Sequence, residues 1–464
     1  MRQLIGRALA LAALAQPLLG SSASAQDTQY WTNQYGNRAR MLGGSVIGSE
    51  SDISAVYYNP GRLATNTTTG LILAGNVFQA TRVTRENALG PGQDLSSTKY
   101  DALPALFAGE FTLGFMGKSR FAYSLLTRQN LDISVSARGS LDDVFDTPGL
   151  ETGADVRFDQ NLGESWGGLS WAWPLSDRFG IGVTWFGALR SQRAREQTLA
   201  LAVNESDRAG IVMQGLQFDF TDLRFLWKLG FGANLDEWQL GVSLTTPGVH
   251  IAGSGTITVD EVVIDQDLND DGEFVTFLRN SQQEGLPTLY KSPLSIGGGA
   301  SYEFGAMTLH GSVEWFDGLG EWTVIEAEPI EPEGGGEPLD PSVTEDLESV
   351  VNWAVGLQHD FTDKLGGYAG FRTDKSAAPE ASLSNSTLSF WDLRHLSGGA
   401  TFTVGRSSFT MGLVYSFGND IAEPLRLTPQ MLGSQQGEDH VRFRRITFIV
   451  GFELSFAGPP GSAE

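Results

Sequence analysis

From residue 70 onward, apolar side chains recur at every second position in one segment after another, which is the period of a strand and not of a helix. Between Ser408 and Phe417, Phe409, Met411, Leu413, Tyr415 and Phe417 share one face, while Ser408, Thr410, Gly412, Val414 and Ser416 share the other. Near the C-terminus Ile446, Phe448, Val450, Phe452, Leu454 and Phe456 stand opposite Arg445, Thr447, Gly451, Glu453 and Ser455. The same split recurs in Phe179-Ile181-Val183-Trp185, Phe225-Trp227-Leu229-Phe231, Trp238-Leu240-Val242-Leu244 and Val351-Trp353-Val355-Leu357. A soluble sandwich turns such a face inward, whereas an outer-membrane barrel turns it to lipid and lines its lumen with polar or small residues. Apolar positions rich in Phe, Trp and Tyr, opposite faces of Gly, Ser, Thr and Asn, and segments of about ten residues favour the barrel.

The alternation predicts an all-β fold, a transmembrane antiparallel β-barrel of about fourteen strands, an even number as single-chain closure requires. The strands begin near Gly70, Leu103, Phe121, Val156, Phe179, Leu216, Trp238, Leu294, Met307, Val351, Leu365, Leu396, Ser408 and Phe443. Arg190 to Val203 and Thr256 to Ile264 carry the pattern past a membrane's thickness and predict raised walls on one side. Long polar connectors at Ser140 to Asp155, Asp260 to Tyr290, Ala327 to Glu348, Thr373 to Ser389 and Asn419 to Asp439 alternate with short turns such as Leu175 to Arg178 and Asn234 to Glu237. The long ones are expected to be extracellular. Glu326 to Pro341, acidic and rich in Pro and Gly, reads as a mobile loop.

Residues 1–25 read as a cleaved signal peptide: Arg2 and Arg7, an apolar core from Ala8 to Leu19, then Ala23-Ser24-Ala25 ahead of Gln26. The implied location is the cell outer membrane of a Gram-negative envelope. Composition removes other classes. The chain has no cysteine, so disulfides, thiolate metal sites and a lipidated cysteine anchor are out. Its 55 acidic against 31 basic residues, a net charge of -24, argue against a nucleic-acid partner. Its five histidines lie far apart, with no H-E-x-x-H spacing.

Residues 26–68 do not alternate and have no partner sheet. Within them, Tyr35 to Ala64, YGNRARMLGGSVIGSESDISAVYYNPGRLA, resembles the N-terminal hatch of the FadL family, outer-membrane transporters of long-chain fatty acids and other hydrophobic compounds. Asp52, Ser54, Ala55, Tyr57, Tyr58, Asn59, Pro60, Gly61 and Leu63 occupy the places of that motif, with Gly61 for the usual Ala and Arg62 for the usual Gly. The runs Ser292 to Asp317 and Val351 to Asp374 agree loosely. The resemblance implies a fourteen-stranded barrel over residues 69–456, a hatch over 26–68 plugging the lumen, and a short tail over 457–464. Pro60 fixes its own φ and holds Asn59 away from helical geometry, so a rigid corner is expected there, with Gly36, Gly43, Gly44 and Gly48 allowing close approach to the wall.

The implied function is passive uptake of hydrophobic small molecules such as long-chain fatty acids, through hatch rearrangement and lateral exit between strands. The alternative is a non-transporting FadL-like barrel of the PorV kind, a scaffold or cargo-display component of a secretion system. Either would be a monomer in outer-membrane lipid and not an enzyme. Gly163-Glu164-Ser165-Trp166-Gly167 matches G-x-S-x-G, but strand pattern continues where a nucleophile elbow needs a helix. Asp267, Asn269 and Asp271, followed by Gly272, have the opening of a calcium loop and suggest weak structural calcium, although Leu278 stands where the bidentate Glu of an EF-hand belongs.

Overall fold

A computed structural model describes residues 23–24, 28–65, 70–86, 94–111, 113–139, 150–266, 274–333, 337–379, 391–422 and 439–455. Asp267, Asn269, Asp271 and Phe456 lie outside the described residues.

Where the sequence alternates, the chain is extended. The strands are β1 (Gly70–Arg85), β2 (Leu95–Phe111), β3 (Arg120–Gly139), β4 (Leu150–Pro174), β5 (Phe179–Asn204), β6 (Ala209–Leu235) and β7 (Trp238–Thr245). They continue with β8 (Val249–Gln266), β9 (Phe274–Leu286), β10 (Ser295–Phe304), β11 (Met307–Phe316), β12 (Leu319–Ile325) and β13 (Val343–Leu347). The last are β14 (Val350–Thr362), β15 (Leu365–Asp374), β16 (Leu393–Val404), β17 (Ser407–Ala422) and β18 (Asp439–Ser455). Strands β1 to β7, β10, β11 and β14 to β18 pair antiparallel in that order, and β18 pairs back to β1 from Val441↔Arg85 to Ser455↔Gly70. The ring therefore closes with fourteen strands and leaves no edge, the condition for crossing hydrocarbon with strands.

The burial pattern is inverted relative to a soluble sheet. Leu169, Trp171, Trp185, Leu229, Val242, Leu309, Trp353, Met411, Leu413 and Ile446 stand exposed on the outer face, where lipid replaces water. Inward positions are buried, and many carry charge: Glu164, Arg190, Arg224, Lys228, Glu314 and Arg372 all point into the lumen. The expectation of Gly, Ser, Thr and Asn inside is thus corrected. A charge is tolerated there because it meets a partner inside the barrel rather than lipid.

Two further expectations change. The described parts of Asp260 to Tyr290 are mostly strand and not loop: β8 pairs along the tall outer part of β6, from Phe225↔Val249 to Gly210↔Asp265, and β9 pairs on β8. With β4 and β5 these strands form the raised wall. Nor is Glu326 to Pro341 loose where it is described. Ile330 bridges Leu339, and both are buried with Trp322, Val324, Ile325, Val343 and Leu347 against Phe218, Phe220, Ile257 and Val259 of the wall. A few apolar residues spaced among prolines and acids suffice to lay β12, β13 and the described part of their connection over the long-loop mouth as a lid, which composition alone conceals.

The N-terminal segment, residues 28–65, runs inside this cylinder. Gln29 and Trp31 bond Trp391 and Asp374 near the long-loop end, while three short helices, α1 (Asn37–Met41), α2 (Ala55–Tyr58) and α3 (Gly61–Thr65), lead to the short-turn end. Tyr35, Leu42, Val46, Ile53, Tyr58 and Leu63 are buried against wall residues Ile72, Leu106, Leu126, Phe186 and Leu226.

Candidate binding site and lateral seam

The corner at Asn59 and Pro60 sits on a ledge of wall glycines. Asn59 donates from Nδ2 to the Ile47 carbonyl at 2.9 Å and the Phe231 carbonyl at 2.8 Å, while its Oδ1 accepts the Gly61 amide at 3.0 Å. A Cβ on Gly182 would meet the Pro60 carbonyl, and one on Gly230 would meet Asn59 Oδ1. No larger residue fits at either place. Gly61 touches the same ledge from the other side, 2.7 Å from the Gly230 carbonyl to where its own Cβ would stand. Arg62, which departs from the motif, fastens this end: Nη1 donates to Asn234 at 2.5 Å and Nη2 to Gln239 at 3.3 Å. Tyr58 bonds Gln34 Oε1 at 2.9 Å and accepts the Tyr35 amide at 2.9 Å, tying α2 back to the start of the segment. Asp52 accepts the Ser54 amide at 2.6 Å.

Tyr57 faces the other way, into a cavity of about 50 Å³. Its walls are Tyr30, Tyr57, Trp166, Tyr290 and Phe316, and four cations, Arg128, Arg224, Lys228 and Lys291, meet two carboxylates, Glu164 and Glu314. Glu164 is held by Arg224 at 2.7 Å, Arg190 at 3.2 Å and the Trp166 indole at 2.6 Å. Glu314 lies 3.6 Å from Lys228 and accepts Trp31 and Ser295, each at 2.8 Å. Those pairs consume both carboxylates. Arg128 is 6 % exposed, lies 5.5 Å over the Trp166 ring, and its Nη1 has no hydrogen-bond partner among the described residues. The cavity therefore presents a positive group with one nitrogen unbonded among the described residues and no direct salt bridge of its own, beside aromatic faces and inside a chain of net charge -24. Its size is that of a few waters, so a larger occupant must displace side chains or the N-terminal segment.

Arg128 reaches the lumen because β3 bulges at that point. Thr127 pairs with Ser165 and Gln129 with Glu164, so Arg128 is the extra residue and two consecutive side chains turn inward. The opposite edge of β3 is more disrupted. Strands β2 and β3 pair from Phe111↔Phe121 to Leu106↔Leu126 and there the ladder stops, although β2 continues back to Leu95 and β3 on to Gly139. Pro104, without an amide proton, and the bulge at Ala105 in the β1–β2 register lie where the strands part. The N-terminal segment meets the carbonyls this leaves over: the Tyr35 hydroxyl donates to Thr127 at 3.0 Å, and Asn33 Nδ2 donates to Arg128 at 3.3 Å. The Thr127 hydroxyl donates to the Pro104 carbonyl at 2.9 Å where the strands part; higher up, among the described residues, Lys99 and Asp132 span the gap at 3.1 Å, and inward Phe443 and Arg445 lie behind it. Its rim is apolar, with Phe78, Tyr100 (69 % exposed) and Leu125 on the outer face.

Solved structures share this fold. A FadL homologue of Pseudomonas aeruginosa aligns at TM-score 0.57 and 13% identity, covering 94% of this chain and 100% of that one. The toluene transporter TodX of Pseudomonas putida aligns at 0.56 and 12%, covering 93% and 100%, and the toluene transporter TbuX of Ralstonia pickettii at 0.53 and 11%, covering 92% and 99%. The chain has the FadL-type fold. No protein-family model matches it, and no curated protein matches it.

Within this FadL-type barrel the motif residues fall at three different places: Asn59, Pro60 and Gly61 on the glycine ledge, Tyr57 in the cavity, and Asp52 and Tyr58 in the fastening of the segment. Ser165, from the G-x-S-x-G run, stands on the outer face of the uninterrupted strand β4. Arg128, Glu164, Arg224, Lys228, Tyr290 and Glu314 were not singled out from the sequence. For Arg224, Lys228 and Glu314 the signal is a charge at an inward position of a strand whose outward neighbours are apolar, as Lys228 between Trp227 and Leu229 or Glu314 between Val313 and Trp315; Arg128, Glu164 and Tyr290 carry no such signal.

Glu50, fully buried beside Asp52, makes the seating of the segment depend on pH. Burial, and then the Asp52 charge, raise its pKa from 4.5 to about 7 against the pull of Arg38, 3.6 Å away. A raised carboxyl pKa means the seated state holds a proton that the released state gives up. Seating is therefore strongest at acid pH, weakens from 4.5 upward and levels off above 7. Amide exchange of residues 46–58, corrected for intrinsic rate, is expected to be slower at pH 5 than at pH 8, with Glu50→Gln reducing the difference and Glu50→Gln/Asp52→Asn reducing it further, because burial raises the Asp52 carboxyl as well. Equal protection at both pH values would show that Glu50 carries no proton in the seated state.

Proposed function

We propose that this barrel is an outer-membrane channel for passive uptake of hydrophobic small molecules, in which residues 26–68 act as the hatch. The observation that carries the reading is the parting of β2 from β3. A backbone polar group left unsatisfied toward hydrocarbon costs several kcal/mol, so a wall serving closure alone would continue the ladder past Leu106 and Leu126. Here it stops, beside a cavity, under an apolar rim, and the segment that meets the freed carbonyls also carries the corner and Tyr57. In the proposed cycle a ligand passes the lid and enters the aromatic cavity. Withdrawal of Tyr35 and Asn33 from the β3 bulge then opens a path between β2 and β3, and the ligand leaves sideways into the bilayer.

The solved relatives named for toluene transport support a hydrophobic cargo, and the cation balance of the cavity adds a preference: an apolar body with one carboxylate, of which a long-chain fatty acid is the simplest case. Arg128→Gln removes this charge without breaking a direct salt bridge among the described residues. A hydrogen bond to a charged group contributes about 1.5–3 kcal/mol, so this variant is expected to weaken palmitate binding by about tenfold or more and leave toluene binding unchanged. Quenching of the tryptophan emission, to which Trp166 contributes, reads both. Equal loss for the two ligands would place the carboxylate elsewhere. The small cavity and packed lid are what favour the PorV-like scaffold reading, and a barrel that binds neither ligand would support it.

A further inference from the structure

We propose that the outer wall where β16, β17, β18 and β1 meet binds the phosphorylated headgroup of a membrane lipid on the long-loop side. The proposal rests on the barrel spanning a membrane and not on what it transports. Along β18 the outward positions Leu454, Phe452, Val450, Phe448 and Ile446 are apolar, a run of nine residues that matches the height of a spanning strand. The next two outward positions are Arg444 and Arg442. Arg444 stands directly opposite Arg82 of β1 and directly opposite Phe417 of β17, which in turn faces Arg394 of β16. Arg394, Arg444 and Arg82 thus lie on one line across four strands, immediately above the apolar band. With strands about 4.8 Å apart, the two outer arginines start about 14 Å apart at the backbone and their long side chains can converge.

Among the described residues no acid neutralises this row. Arg442 pairs with Glu86 at 3.0 Å, but Arg82, Arg394 and Arg444 make no ion pair among the described residues; Arg444 instead lies 6.0 Å over the Phe417 ring. Asp392, one pleat beyond Arg394, accepts the Ser376 amide. Like charges directly opposite each other destabilise an antiparallel pair, so the Arg82–Arg444 juxtaposition works against the sheet unless an anion lies between them. The raised wall shows the other solution. There Arg157 bonds Asp159 at 2.6 Å, Arg195 stands opposite Asp159, and Arg193 stands opposite Asp219. In a chain with 55 acidic residues against 31 basic, an arginine row without acids is poorly explained as surface solvation. Planar guanidinium forks match phosphate oxygens two at a time, and the height of the row, at the upper edge of the apolar band, is that of a lipid headgroup whose acyl chains cover Ile446 and Phe448.

The test uses the full chain in phosphatidylcholine nanodiscs, titrated with bisphosphorylated lipid A and followed by native mass spectrometry, with inorganic phosphate as competitor. The wild-type chain is expected to retain lipid A. The variant Arg82→Gln/Arg394→Gln/Arg444→Gln is expected to bind it roughly a hundredfold more weakly, about fivefold for each arginine, and Arg444→Gln alone to give a smaller loss should the triple variant insert poorly. Arg157→Gln/Arg193→Gln is expected to change nothing. Equal retention by the wild type and by whichever of these arginine-row variants inserts would overturn the proposal. So would displacement of the lipid by inorganic phosphate at equal molar potency, which would make this a site for free phosphate. Palmitate uptake is read in parallel: its loss in every chain would count against the transport reading and leave the lipid site standing.

Discussion

Removal of residues 26–64 is expected to turn a closed barrel into an open pore. The ring needs none of these residues for its ladder, since β18 closes on β1 through its own pairs from Val441 to Ser455. The variant should therefore still assemble and still migrate anomalously on unheated gels. What it loses is the filling. Tyr35, Leu42, Ile53, Tyr57, Tyr58 and Leu63 leave the lumen, and the ledge at Gly182 and Gly230 faces empty space. Fourteen strands enclose more room than the remaining inward side chains occupy. The lid loosens as well, because Tyr30, stacked 4.3 Å from Phe316, and Trp31, bonded to Glu314, belong to the cluster beneath it. Planar-bilayer recording is expected to change from no steady current to a stable, unselective conductance. An assembled deletion variant that stays electrically silent would mean that the lid or wall closes the lumen, and that the segment is not its plug.

Much of this architecture can be read from the order of residues, and the reasons it can are local. Each of the fourteen ring strands lies where the alternation places it, because lipid imposes a strict period of two on the outer face and the short turns mark the boundaries. Asn59 and Pro60 are legible as a corner since proline geometry is intrinsic to the dipeptide. The charged interior was not legible. An inward position is chosen by what stands across the lumen or on another strand, far away in sequence: Glu164 is explained by Arg224, Glu314 by Trp31 and Lys228, and Arg190 by Gln129. The seam was hidden for a related reason. The strands that begin near Leu103 and Phe121 in the sequence both read as ordinary, and only the register between them reveals that they part above Leu106. The lid was misread because its acids and prolines dominate the composition while a few apolar residues, Ile330 and Leu339 among them, decide its packing.

The account turns on whether ligand leaves between β2 and β3, and a covalent staple across that gap tests it most directly. Lys99 and Asp132 already span the parted strands at 3.1 Å, and the chain has no cysteine, so Lys99→Cys/Asp132→Cys introduces the only two thiols. Losing this exposed ion pair should cost little, about 1 kcal/mol or less, and the unlinked variant is expected to take up ligand as the wild type does. A short bismaleimide then ties the strands and fills the opening. The matched control is Val355→Cys/Phe371→Cys, whose residues face each other across the intact β14–β15 ladder. The measurement is labelled palmitate uptake by cells or proteoliposomes carrying each variant, before and after linking. Linking at residues 99 and 132 is expected to reduce uptake at least tenfold while linking at 355 and 371 leaves it unchanged; undiminished uptake through a fully stapled seam would contradict lateral exit at this place.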